Sequence, residues 1–346
     1  MSDVLSQFHY LHGKPSAKAK LKAKAEDFKV SEDLGYEFTG SGEHLMIRIR
    51  KTGENTSFVA NELAKACLVK SKDISWAGLK DRHAVTEQWL SVHLPTGETP
   101  DFSAFLAQYP SIEILDTQRH NKKLRPGDLA GNDFEITLSD VTNVEQVIER
   151  IEKIEKLGVP NYFGSQRFGH HGNNLEEARR WGRDNVRTRN QNQRSLYLSS
   201  ARSWIFNKIV SARIEQGVFD TLLVGDVVSG SESGLVTEDN IASLQQALSR
   251  KDIQITAAMA GDNELPTKGK AQELELPNLD SEPDLMALIR GNRMRHDRRA
   301  VLLQPKNFTW THNENRVTLT FSLDSGSFAT SIVRELVEEE VVERVY

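Results

Sequence analysis

Four short stretches of this chain alternate apolar and polar residues with the period of two that suits a half-buried β-strand. LMIRIR sets Leu45, Ile47 and Ile49 against Arg48 and Arg50, and QWLSVHL puts Leu90, Val92 and Leu94 on one face. DFEITL does the same with Phe134, Ile136 and Leu138, and RVTLTFSL with Val317, Leu319, Phe321 and Leu323. Three of these stretches precede residue 140 and the fourth follows residue 315, so strand-forming sequence brackets a centre of different character. Between the first two, a helix is predicted from roughly Ser57 to Val69. After the third, Val144, Val147, Ile148, Ile151, Ile154 and Leu157 recur at helical spacing until Gly158 and Pro160 stop them. Ser199 or Ser200 is placed to cap a further helix running through Trp204, Ile205, Ile209 and Ala212 to about Gly217. From Ser229 to Pro283 the chain carries many Gly, Ser, Glu and Pro residues without a clear period. The pattern suggests an inserted domain, and a length of 346 residues fits about two domains.

The charge balance argues mildly against a nucleic-acid partner, with 44 Lys and Arg against 49 Asp and Glu. Its distribution reverses that impression. From Arg179 to Arg213 the cations are Arg179, Arg180, Arg183, Arg187, Arg189, Arg194, Arg202, Lys208 and Arg213, against the single acid Asp184. Further basic clusters run from Lys14 to Lys24, Arg119 to Arg125 and Arg290 to Arg299, while the C-terminal tail is acidic. Such alternation fits a polarised surface that meets phosphates in several places. The single cysteine, Cys67, excludes a disulfide framework and a cysteine-built metal site. No apolar run approaches the roughly 18 to 20 residues of a membrane span, and the N-terminus lacks the apolar segment of a signal peptide, so a cytoplasmic location is expected.

The segment Trp76 to Thr86, WAGLKDRHAVT, is the most unusual stretch and reads as a loop entering a strand. Asp81 lies between Lys80 and Arg82, neighbours that favour its anionic form and suit it to act as a nucleophile or base. On the residues alone a turn or capping carboxylate is the better reading. His170 and His171 are adjacent rather than one helical turn apart, which does not suit a zinc site.

GLKDRHAVTEQ resembles the active-site signature of the TruD family of tRNA pseudouridine synthases, carried here by Gly78, Lys80, Asp81, Ala84, Thr86 and Gln88. GVPNYFGSQRFG, from Gly158 to Gly169, resembles a second family segment at the start of an insertion. LHGKP, AEDFKVSEDLG, LAGNDFEITL and GSFATSIVREL agree, so the resemblance spans nearly the whole chain and is least marked from about residue 220 to 290. Ala25 departs from it, standing where the family often has Pro before Glu-Asp-Phe.

The resemblance implies an α+β fold: a mixed, largely antiparallel sheet in a catalytic domain of residues 1–154 plus 304–346, interrupted by an inserted α/β domain, 155–303. It implies isomerisation of uridine 13 of tRNA to pseudouridine with no cofactor, no metal and no obligate protein partner. Asp81 is then the catalytic aspartate, and Phe28, Asn132 and Phe328 match positions that bind the target nucleotide. Each residue type suits that work. A flipped uracil needs flat apolar surfaces, and Asn offers its base edge both a donor and an acceptor. Lys22 is placed to set a cation beside Asp81, although a lysine in so basic a run is also well suited to solvent. Two other readings fit the same residues. A two-carboxylate RNA glycosidase would draw on Glu26, Asp27 or Glu87 as its second acid. An RNA-binding protein without catalysis would use the basic surfaces alone.

Overall fold

The computed structural model describes residues 3–344 and shows two compact units, each assembled from separate stretches of chain. One comprises Pro15–Glu155, Pro305–Ala329 and the residues from Leu336 on. The other comprises the residues up to Lys14, Lys156–Gln304 and Thr330–Glu335. The α+β class is seen in both.

The first unit is built on one large sheet. Across it the strands run Lys306–Asn313, Arg316–Asp324, Gly131–Leu138, Phe28–Asp33, Val85–His93, His44–Thr52 and Ile112–His120, with the short strand Ile74–Trp76 also pairing with Val85–His93. All these pairings are antiparallel except Phe28–Asp33 with Val85–His93. The four alternating stretches read from the sequence fall in four of these strands. Register then decides which residues meet. Lys51 pairs with Thr86, Thr86 with Val30, Val30 with Phe134 and Phe134 with Phe321, so five strands put one row of side chains on the same face. Helix Thr56–Ala66 covers that face, packing Val59, Ala60 and Leu63 against Leu45, Ile47, Ile49, Leu90 and Val92. The opposite face is polar in its middle, where Glu87 binds Arg48 and Arg50, and apolar near Met46, Trp89 and Leu124.

Gly131 opens its strand at a place where no side chain fits, since a Cβ there would lie 2.2 Å from the Leu323 carbonyl oxygen. This explains the glycine of Gly131-Asn132-Asp133 as a packing requirement for close strand pairing.

In the second unit, helix Gln191–Glu215 is central, burying Leu198, Ala201, Trp204, Ile205, Phe206, Ile209 and Val210. It begins well before the expected Ser199 or Ser200. Its cap is Asn190, whose side chain accepts a hydrogen bond from Gln193 N at 3.1 Å. The first turns, Gln191 to Ser195, are exposed or half-buried and polar, so they carry no apolar period to reveal them. A four-stranded antiparallel sheet, in the order Gly234–Leu235, Val227–Gly230, Ile253–Met259, Asp297–Ala300, belongs to the same unit. The stretch from Ser229 to Pro283 is therefore ordered. Its strand Ile253–Met259 is buried on both sides at Ile255, Thr256, Ala257 and Ala258, which removes the alternation.

Candidate active site

Asp81 lies in the loop joining strands Ile74–Trp76 and Val85–His93. Several buried polar contacts fix that loop. Gln88, fully buried, donates from Nε2 to Gly78 O at 3.0 Å and accepts from the Thr56 hydroxyl at 2.8 Å. Thr56 in turn accepts the Lys80 amide at 3.3 Å. Gly127 N donates to Ala77 O at 2.8 Å, and Gly53 N to Ala84 O at 3.3 Å. Lys80 extends its ammonium to the buried Glu32 carboxylate, 2.9 Å away, whose other oxygen accepts the Trp89 amide at 3.2 Å. The Lys and Gln of the Gly-x-Lys-Asp…Gln pattern thus hold the loop rather than face solvent.

The Asp81 carboxylate is free of that scaffold. Its side chain is 35% exposed, and Oδ2 lies 3.2 Å from Lys22 Nζ. Lys22 takes a left-handed backbone conformation, φ 56°, in the bend that follows strand Lys18–Lys20. Its ammonium also stands 4.4 Å from the centre of the Phe28 ring, a cation–π contact. The side chain is only 14% exposed, so Lys22 is not the solvated lysine its sequence context allowed.

Phe28 is 2% exposed and meets Phe134 edge-on with ring centres 6.2 Å apart. Phe134 stacks on Phe321 at 5.4 Å. These rings line the sheet face beside Asn132, which pairs in register with Glu32 on one side and Leu323 on the other. Asn132 Oδ1 is buried and accepts no hydrogen bond among the described residues. A buried acceptor left open costs stability, and ligands commonly complete such groups. Phe328 is half-buried in the turn after strand Arg316–Asp324. Ser325 N donates to Ala130 O at 2.9 Å, setting that turn against the residues just ahead of Asn132. The structure therefore joins Lys22, Asp81 and Phe28 by direct contact, brings Asn132 in through strand register, and places Phe328 by its turn.

One contributor escaped the sequence reading. Lys51 is fully buried and donates to Glu54 O at 2.8 Å and to the Asp81 carbonyl oxygen at 3.2 Å. Burial pushes its pKa down to about 8, against an opposing pull from Asp81 and a further push down from Lys80. The signal was present, because Lys51 continues the inward series Leu45, Ile47, Ile49, where a lysine is out of place. His83 is also held below its ordinary value, first by burial and then by Arg344, Arg82 and Lys22, which favours the neutral imidazole beside Asp81.

Among the described residues no cluster of His, Cys, Asp or Glu is arranged to hold a metal ion, and no helix is long and apolar enough to cross a membrane. The basic stretch from Arg179 to Arg213 is largely engaged internally. Arg179 and Lys208 bind Glu282, Arg180 binds Glu177, Arg202 donates to three carbonyls, and Arg213 is buried on Asp226 at 2.8 Å. Arg187 and Arg189 remain exposed.

A family model described as tRNA pseudouridine synthase D (TruD) matches residues 4–176 and 173–336. The chain is 71% identical over 347 residues to a tRNA pseudouridine synthase D of Vibrio campbellii, with all of both chains covered. It is 61% identical over 348 residues to the tRNA pseudouridine synthase D of Aliivibrio fischeri, covering 100% of this chain and 99% of the other. Its fold matches a crystal structure from Methanosarcina mazei, of a protein assigned as tRNA pseudouridine synthase D (TruD), at a TM-score of 0.73 and 24% identity over 95% of each chain.

Proposed function

The chain belongs to the tRNA pseudouridine synthase D (TruD) family, and on that premise we propose that it isomerises uridine 13 of tRNA to pseudouridine, with Asp81 as the catalytic carboxylate. The observation that carries this reading is the contact of Lys22 with both Asp81 and Phe28, which sets an accessible anion, a cation and an aromatic wall at one point.

The reaction breaks the bond between N1 of uracil and C1′ of ribose, turns the base, and joins C5 to C1′; C5 gives up a proton and N1 gains one, so no redox partner or group donor enters. One carboxylate serves, either by attacking C1′ or by taking the proton at C2′. Asp81 fits both routes because its backbone is fixed by Lys51 while its carboxylate stays accessible. Lys22 offsets the negative charge beside which the uracil must bind, and keeps the carboxylate from turning away.

The uridine is turned out of the RNA to reach the site, at a cost of a few kcal/mol that phosphate contacts offset. Asn132 Oδ1, buried and open, accepts from uracil N3–H. Phe28 and Phe328 wall the base, and a uracil that stacks on Phe28 displaces the Lys22 ammonium from over that ring. Walls of this kind keep the detached base in place and exclude the water that would otherwise end the reaction as base loss. The same reading assigns catalysis to 1–154 with 304–346 and tRNA contact, through exposed Arg187 and Arg189, to an insertion, 155–303, with which the residues up to Lys14 and Thr330–Glu335 form one compact unit.

Unmodified tRNA incubated with the protein in EDTA, then treated with carbodiimide and read by primer extension, tests the assignment. A stop at position 13, absent when that uridine is replaced by cytidine, is expected. Free uracil in the supernatant would point to a glycosidase instead, and a stop only elsewhere would overturn the choice of position.

A further inference from the structure

A cavity of about 790 Å³ opens at the other end of the large sheet, lined by Tyr36, His44, His120, Lys122, Lys123 and Arg125. Strand register gives its location. His44 pairs with His93 on one side and His120 on the other, seven residues before Lys51 on the same strand. At about 3.3 Å per residue the two ends are roughly 23 Å apart. An odd separation also turns His44 to the opposite face from Lys51, so this cavity is distinct from the Asp81 site.

Its chemistry is that of a nucleotide subsite. Tyr36 is 43% exposed, and its ring is braced edge-on by Phe38 at 5.9 Å and flanked by His120 at 5.8 Å. Phe38 is itself backed by Trp89 at 4.7 Å, so a flat surface is offered on a rigid support. Lys122, Lys123 and Arg125 are exposed, and none forms an ion pair among the described residues. Asp128, the acid among the lining residues, accepts the Arg125 amide at 2.9 Å.

Polar groups are also held ready. The Thr39 amide donates to His120 Nδ1 at 3.1 Å, which puts the proton of the neutral ring on Nε2 as a donor. His44 Nδ1 is buried with no partner among the described residues. Gly42, at φ 132°, passes so close to His120 and Asn121 that a Cβ would lie 2.4 Å from the His120 oxygen, fixing the loop that carries Tyr36 and Phe38 against the cavity floor.

An exposed aromatic ring beside unpaired cations is the arrangement that binds unstacked nucleotides, the ring taking the base and the cations the backbone. We propose that this cavity binds an unpaired nucleotide of the RNA substrate remote from the target uridine, with its base on Tyr36 and flanking phosphates on Lys122, Lys123 and Arg125. The proposal rests on tRNA being the substrate.

The test measures binding of the full chain to unmodified tRNA by fluorescence anisotropy across a salt series, together with turnover at saturating tRNA. Tyr36→Ala is expected to weaken binding about 5- to 150-fold, while Tyr36→Phe, which keeps the ring, stays near wild type. Replacing Lys122, Lys123 and Arg125 by Ala is expected to lower the slope of log affinity against log salt by about 2. Turnover at saturation should be unchanged in all of them, which separates this subsite from the Asp81 site; the binding measurements stand even for a protein that lacks isomerase activity. Unchanged affinity and slope would overturn the proposal. So would a loss confined to the charge variant with Tyr36→Ala unaffected, because the cations would then act without a nucleotide in the cavity. Competition by an acidic peptide but not by short single-stranded RNA would overturn it in favour of a protein partner.

Discussion

Lys22 places its ammonium 3.2 Å from the Asp81 carboxylate, across a segment boundary that no short-range rule of sequence connects. The pair is partly open to water, so its contribution to stability is small, at most about 1 kcal/mol. Its value lies in fixing where the carboxylate stands. Lys22→Met is expected to lower kcat about 10- to 100-fold while leaving tRNA affinity within a few-fold, and Lys22→Arg to recover part of the loss. Single-turnover rates beside equilibrium binding check this. Equal losses in binding and rate would make Lys22 an RNA contact instead.

Beneath the loop, Lys80 and Glu32 form an ion pair with side chains almost wholly shielded from water. Removing one partner leaves the other charged and buried. Lys80→Met is therefore expected to destabilise the unit by about 3 to 5 kcal/mol, and Glu32→Gln with Lys80→Met by less than Lys80→Met alone. Urea unfolding of the two variants beside wild type would show the order. A single variant no less stable than the double would contradict it.

Ala25 stands in the first position of a short 3-10 turn, Ala25–Asp27, and Lys24 before it is already extended at φ −126°, ψ 157°. That is the backbone a residue preceding proline must adopt. Ala25→Pro is accordingly expected to stabilise the chain by about 0.4 to 1 kcal/mol with activity retained. A lower melting temperature would show that the turn needs the Ala25 amide or its present φ.

Lys51 titrates inside the fold at about 8 rather than at its ordinary 10.5. The unfolded chain therefore binds the additional proton between those values, and the contribution of Lys51 to stability rises with pH across that window and is lost as pH falls through 8. The difference in unfolding free energy between wild type and Lys51→Met should grow in favour of wild type from pH 8 to 10.5. A flat difference would mean that the Lys51 ammonium is as well solvated in the fold as out of it.

Much of the framework was legible because it follows from local alternation. The stretches around Ile47, Val92, Ile136 and Leu319 each show one apolar face, and each lies in a strand of the large sheet. What stayed hidden was whatever breaks that simple relation. The helix beginning at Gln191 opens on polar turns, and strand Ile253–Met259 is buried on both sides. Lys51 and Glu32 occupy inward positions where charge is rare, so only their partners, the Asp81 carbonyl and Lys80, explain them. In the site, it was the resemblance of GLKDRHAVTEQ to the family signature that singled out Asp81. The meeting of Lys22 with Phe28 depends on a left-handed bend at Lys22 that its residue type does not announce.

Release of tritium from tRNA labelled at C5 of uridine tests the central claim most directly, because forming the C5–C1′ bond expels that atom. Wild type and Asp81→Asn, which keeps the shape of the side chain and removes its charge, would be compared at equal tRNA saturation. The expected result is stoichiometric release by wild type and none above background by Asp81→Asn, with tRNA affinity retained. Release by Asp81→Asn within about tenfold of wild type would contradict the assignment of Asp81 as the catalytic carboxylate.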